Sequence, residues 1–216
     1  IYASKLELSK MLATSSFDMG IIKEGKCAVF VIMHDEKTTY YPLVGTFIKQ
    51  CYELLAEEAY SKSGKLHNRV NFVLDEFAKI NPISDMPSMV TAARNKNMRF
   101  YLVIQGIDQL TKRYGDADAE MIKNNCGNWV YLASKEMQTL RELSELCGME
   151  KHYDTARQPV FEKPLISISR LLKMPLGQAL ILRERESPFL THLPDISSYA
   201  AWQLPVAFIK DEQKSE

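Results

Sequence analysis

The run VNFVLDEF, residues 70–77, constrains this chain more than any other stretch, because an apolar, strand-like segment stops abruptly at two adjacent carboxylates, Asp75 and Glu76. A buried strand holds its last side chains rigidly at the end of a sheet. There one acid can bind Mg²⁺ while the next orients a water for attack on a phosphate, which is the shape of a Walker B element. The same residues also suit a buried strand that runs into a helix whose first turn carries acids to match the helix dipole. Taken alone, the run leaves both readings open.

The next thirty residues narrow the fold. SDMPSMVTAARNKNM, residues 84–98, has amphipathic helical spacing, and FYLVIQ, residues 100–105, is a second apolar run ending in the polar Gln105. Strand, helix, strand in this order reads as a βαβ unit. Parallel strands end on the same edge, so Asp75, Glu76 and Gln105 can converge on one ligand if the strands are neighbours. Gln105 then suits a sensor of a γ-phosphate or its water, or is an ordinary polar strand end.

The series LDEFAKI, TAARNKNMRF, YLVIQGIDQL, YGDADAEMIKNNCGNWVYLAS and LLKMPLGQALILRERESPF resembles the C-terminal part of the coupling ATPases of conjugation and type IV secretion, the TraG and TraD type. The likeness runs from about residue 15 to residue 200. It implies a RecA-like α/β domain with a mostly parallel sheet and helices on both faces. It also implies a residual piece of an inserted all-helical domain over residues 1–20, the ATPase portion over 21–210 and a frayed tail over 211–216. By resemblance Asp75 coordinates Mg²⁺ through water, Glu76 polarises the attacking water and Gln105 reports the γ-phosphate state. Arg94 reaches a neighbouring subunit's nucleotide, where a planar guanidinium suits charge developing on a transferred phosphoryl.

The parent implied is a homo-hexamer that hydrolyses ATP with Mg²⁺ at the cytoplasmic face of the inner membrane. It passes DNA or effector proteins to a secretion channel and works with relaxosome proteins. A non-enzymatic module docking a relaxosome or effector protein is the alternative from a different class, and an FtsK- or HerA-type DNA pump is the nearest rival ATPase.

Composition bounds these readings. The 216 residues are 46% hydrophobic, enough for a substantial core. Formal charge is +0, so no overall field draws in a polyanion and any nucleic-acid contact must come from local clusters. The cysteines, Cys27, Cys51, Cys126 and Cys147, are widely spaced within apolar patterns, as expected of buried, reduced thiols. The four histidines show no metal-ligand spacing. No apolar run approaches the roughly 18 residues of a membrane helix, so this stretch reads as soluble and cytoplasmic.

A phosphate-cradling Walker A loop is not recognisable. Gly20, Gly25 and Lys26 imitate one, but Cys27 stands where a Mg²⁺-ligating hydroxyl is needed, and the segment leads into AVFVIM, a strand, instead of a helix. The chain alone is therefore expected to bind no cofactor and to be inactive. Asp35 and Glu36 after VFVIMH form a secondary acid pair. Further elements expected are a helix over residues 1–13, a strand over 27–33, a helix from Pro42 to about Tyr60 with Leu43, Phe47, Cys51, Leu54 and Leu55 on its core face, a helix over 116–125, a strand at NWVYLA, a helix capped by Ser134 and stopped at Gly148, an irregular excursion over 149–164, a short helix over 167–173 and a strand at QALILR.

Overall fold

The computed structural model describes residues 19–33, 40–153 and 160–199. The chain divides into two compact units, Ile1–Asn125 and Cys126–Glu216. The expected helix at residues 1–13, the acid pair Asp35 and Glu36, and the tail lie outside the described residues.

In the first unit, α1 (Ile21–Glu24) and α2 (Tyr41–Ser61) precede β1 (Val70–Leu74), α3 (Met86–Ala93), β2 (Met98–Leu102) and α4 (Ile107–Asn124). Single 3₁₀ turns at Phe77–Lys79 and Arg94–Lys96 flank α3 on either side. Proline in its first turn starts α2, where a missing N–H costs nothing. Its buried face is Ile48, Cys51, Tyr52, Leu55 and Ala59. This stripe is rotated from the expected one, because Leu43, Phe47 and Leu54 are only partly buried while Tyr52 turns inward to meet Phe100.

β1 and β2 are parallel neighbours in register from Val70↔Met98 to Leu74↔Leu102. Strand periodicity turns Phe72 and Phe100 to the same side, where their rings stack at 4.8 Å. Val70, Leu74, Met98 and Leu102 join them in one core with α2, α3 and α4. The opposite face is bare among the described residues, with Val73 67% and Tyr101 47% exposed. Among the described residues of this unit the helices share a single core on one side of the strand pair, so the expected covering of both faces is not seen there.

Two further expectations change here. Residues 27–33 join no ladder, and Phe30 and Ile32 are 84% and 91% exposed. An apolar run has strand propensity, but the partner's hydrogen bonds are what make it a strand. The helix expected from residue 116 is present, but a helical stretch from Ile107 precedes it across a break at Gly115, whose φ of 78° is easy only for glycine.

The second unit carries an antiparallel sheet in the order β3 (Asn128–Tyr131), β6 (Gln178–Arg183), β7 (Phe189–His192). Helices α5 (Met137–Cys147) and α6 (Ile168–Leu172) pack on one of its faces through Leu140, Leu143, Leu171, Tyr131 and Leu180. The α/β class is as read from the sequence, but the expectation of a mostly parallel sheet is met by β1–β2 alone. The pairs β3–β6 and β6–β7, and that of β4 (Met149–Tyr153) with β5 (Val160–Pro164), are antiparallel. Short connections permit the β4–β5 and β6–β7 pairs, whereas β3 and β6 are paired across the long stretch between Tyr131 and Gln178, and parallel pairing needs a crossover such as α3.

The excursion expected over 149–164 is a hairpin of β4 (Met149–Tyr153) and β5 (Val160–Pro164). The sequence hid it, because MEKHY and VFEKP lack the strict apolar alternation by which strands are recognised. Gly148, at φ 81°, stops α5 as expected, but the cap lies two residues later than Ser134. The Glu136 carboxylate accepts the backbone N–H groups of Gln138 and Thr139 at 2.6 and 2.7 Å, and Ser134 Oγ accepts the N–H of Glu136 at 3.1 Å. Among the described residues no helix is long and apolar enough to cross a membrane.

Glu136→Ala should lower unfolding free energy by about 1 kcal/mol in a denaturant titration, and Ser134→Ala by clearly less, since the first removes both N-terminal acceptors of α5. The thiols differ as well. Cys27 is exposed, contrary to the expectation of a buried thiol, whereas Cys51 is buried and burial pushes its thiol up to about 11. Under native conditions at neutral pH a thiol reagent should modify Cys27 first, and reach Cys51 only on unfolding, as read by mass spectrometry.

Candidate functional site

The LDEF element is built from alternating anchors and presentations. Leu74 is buried at the end of β1 and its carbonyl accepts the N–H of Val103 at 3.0 Å. The chain then leaves the ladder for two residues and returns at Phe77, whose N–H donates to the carbonyl of the same Val103 at 2.9 Å. Asp75 and Glu76 are the excursion between these two stitches.

Phe77 closes it. Its ring is fully buried and stacks on Tyr114 at 5.4 Å. The Tyr114 hydroxyl accepts the N–H of Ile83 at 3.2 Å, which fixes that ring in turn. Burial pushes the Tyr114 phenol above its ordinary range, so it stays a neutral hydroxyl.

Glu76 adopts φ 49°, ψ 39°, the left-handed region that few residues other than glycine occupy. The Asp75 carboxylate stabilises the turn by accepting the Glu76 N–H on Oδ1 at 2.9 Å. The exposed Asp75 side chain thus remains available to solvent on its other oxygen. Glu76 is held from two sides. Gln105, from just beyond β2, donates through Nε2 to Glu76 Oε1 at 3.3 Å, and Lys79 forms an ion pair with Glu76 Oε2, an oxygen shielded from solvent. Gln109, one turn into α4, donates to Gln105 Oε1 at 3.5 Å.

The structure therefore brings Asp75, Glu76 and Gln105 to one sheet edge, as parallel pairing requires. Arg94 is not among them. It lies exposed in the turn leading into β2, at the opposite end of the strands from the carboxylates. Lys79 and Gln109 are participants that reading the sequence missed. Their spacing offered a signal, three residues after Glu76 and four after Gln105, but it becomes legible only once the 3₁₀ turn and the early start of α4 are known.

The donor set fits Mg²⁺. Mg²⁺ is held by one or two carboxylates with waters and substrate phosphates, not by an all-protein cage. Asp75 offers such a carboxylate, and no cluster of three metal-binding side chains exists among the described residues. The Gly20–Lys26 imitation of a phosphate loop has the wrong order: the short helix α1 comes first and segment 27–33 comes after it.

Comparison with known proteins agrees with this architecture. Residues 69–175 match the family model described as the TraM recognition site of TraD and TraG. The type IV secretion system-coupling protein VirD4 of Bartonella henselae is 25% identical over 182 residues, covering 84% of this chain and 27% of that protein. VirD4 of Bartonella quintana is 27% identical, covering 64% of this chain and 21% of its own length. The chain thus spans about a quarter of the length of these relatives.

The bacterial conjugative coupling protein TrwB superposes with a TM-score of 0.61 at 15% identity, over 72% of this chain and 38% of TrwB. TrwB has also been solved with ADP and Mg²⁺. At that identity the likeness establishes the RecA-like α/β fold. With the matched family model, the relatives and the sheet edge built by LDEF taken together, the chain belongs to the type IV coupling protein family, within its C-terminal region.

Proposed function

We propose that this chain is the Walker B-bearing portion of a coupling ATPase that uses ATP hydrolysis to deliver DNA or protein substrates to a secretion channel. The observation that carries this reading is the two-residue excursion at the end of a parallel strand, with Asp75 exposed to solvent and Glu76 touched by Gln105 from just beyond the neighbouring strand. VirD4 and TraG relatives and the nucleotide-bound TrwB structures support it.

Each residue then has a distinct task. Asp75 is the residue that would hold Mg²⁺ through water, and the ion would supply neutralisation of phosphate charge. Glu76 orients and polarises the attacking water, for which its carboxylate must be presented in a rigid backbone and not on a loose loop. Gln105 senses the γ-phosphate state and passes it to α4 through Gln109. Arg94 faces away from this edge and serves the nucleotide of an adjacent subunit in a homo-hexameric ring at the cytoplasmic face of the membrane.

A second reading, as a docking module for a relaxosome protein, is favoured by the matched family description, a TraM recognition site that spans 69–175. The two are compatible, since that range includes the LDEF element.

In a longer protein containing this chain, Glu76→Gln should preserve nucleotide binding and lower steady-state turnover at least about 100-fold, because the amide keeps the shape and loses the base. Unchanged turnover would return Asp75 and Glu76 to a structural role. The isolated chain should show no ATP binding by calorimetry near about 1 µM, since no Walker A loop is recognisable in its sequence to balance the charge of the whole triphosphate. Arg94→Lys in the longer protein should leave assembly intact and reduce hydrolysis about tenfold, roughly 1.4 kcal/mol of transition-state stabilisation. Mixing Arg94→Ala with Glu76→Gln subunits should restore part of the activity if Arg94 acts in trans.

A further inference from the structure

Beside Glu76 lies a cavity of about 250 Å³ lined by Ala78, Lys79, Gln109, Lys112 and Arg113. Gln109, Lys112 and Arg113 are spaced i, i+3, i+4, so α4 turns one face toward the 3₁₀ turn that carries Ala78 and Lys79. The lining thus holds three cations and an amide and no carboxylate.

The cations are held differently. Lys112 Nζ pairs with Asp108 at 2.9 Å and Lys79 with Glu76. Arg113 donates through Nε to the neutral carbonyl of Ala78 at 2.9 Å, which orients its guanidinium against the turn while no carboxylate among the described residues pairs with it. Its outer Nη edge remains for a ligand. A planar fork flanked by ammonium groups is the arrangement that matches phosphate oxygens. The volume is below that of an ordinary drug-sized site and suits a small anion or one phosphate of a longer molecule.

We infer that this cavity binds a phosphate group, and that its occupation draws Lys79 away from Glu76. Arg113 takes two phosphate oxygens through its Nη edge, with Lys112 and the Gln109 amide beside them. Lys79 stands between two anions, the Glu76 carboxylate and the bound phosphate, and a doubly charged phosphate competes for the ammonium. Releasing Glu76 Oε2 frees the oxygen that Lys79 now covers. The binding site stands on its own lining. Its consequence for catalysis rests on the reading of Glu76 as the residue that polarises water.

The test uses this 216-residue chain and two probes, inorganic pyrophosphate and an oligothymidylate. In ¹H–¹⁵N spectra the Arg113 Nε–H and Gln109 side-chain amide should shift saturably, with dissociation constants near about 1 mM or tighter at low salt. A Lys112→Gln, Arg113→Gln double variant that keeps a dispersed, folded spectrum should bind at least about tenfold more weakly, as two of the charges are gone. Stronger binding of pyrophosphate identifies a terminal phosphate as the ligand. Stronger binding of oligothymidylate, with a steeper loss on adding salt, identifies a nucleic-acid backbone.

The absence of saturable shifts at Gln109 and Arg113 with either probe, or equal affinity in the double variant, overturns the site. At saturation the Gln105 side-chain amide should also shift as Glu76 is released. A Gln105 amide that does not move overturns the link to Glu76. Neither measurement involves hydrolysis, so failure here is distinct from failure of the ATPase reading, which Glu76→Gln tests separately.

Discussion

The candidate site depends on the carbonyl and amide of one residue, Val103. Its N–H ties down the end of β1 at Leu74, and its carbonyl receives the chain again at Phe77. A regular parallel ladder places one residue between two such bonds to a single partner; here two residues, the acids, stand in that place, so the backbone loops out. A continuous strand would have sent Asp75 and Glu76 to opposite faces of the sheet. The stitched excursion presents both at its edge, and the burial of Phe77 against Tyr114 secures the return point.

Electrostatics at this edge derive from that geometry. A left-handed residue is uncomfortable for a glutamate by about 1–3 kcal/mol, and it persists only where surroundings determine it. Here the Asp75 carboxylate on the Glu76 N–H, the 3₁₀ turn at Phe77–Lys79 and the Lys79 and Gln105 contacts all favour the same conformation. The result is a carboxylate whose two oxygens have different partners. One is linked through Gln105 and Gln109 to α4, and the other to a lysine that also lines a cationic cavity.

The outer face of β1–β2 and segment 27–33 expose large apolar side chains, which a parallel α/β sheet ordinarily covers. The second unit is organised differently, as a three-stranded antiparallel sheet backed on one face by α5 and α6, with Glu136 capping the first of those helices. Each unit has its own core.

How much of this was legible in the sequence depended on the range of the interaction involved. Apolar periodicity determined β1, α3 and β2, and parallel order then put Asp75, Glu76 and Gln105 on one edge. The glycine at 148 and the proline at 42 marked helix ends for local steric reasons. Tertiary structure decided what needed a distant partner. Segment 27–33 has the composition of a strand and no ladder to join. The hairpin of β4 and β5 has a ladder and little apolar signal. Glu76 entered the left-handed region because Val103, just beyond β2, recaptured the chain one residue later. Lys79 and Arg113 became parts of the site only when a 3₁₀ turn and the face of α4 were brought together. Local chemistry is written in adjacent residues, whereas the hydrogen bond that bends β1 and the cavity beside it exist only once remote segments have packed.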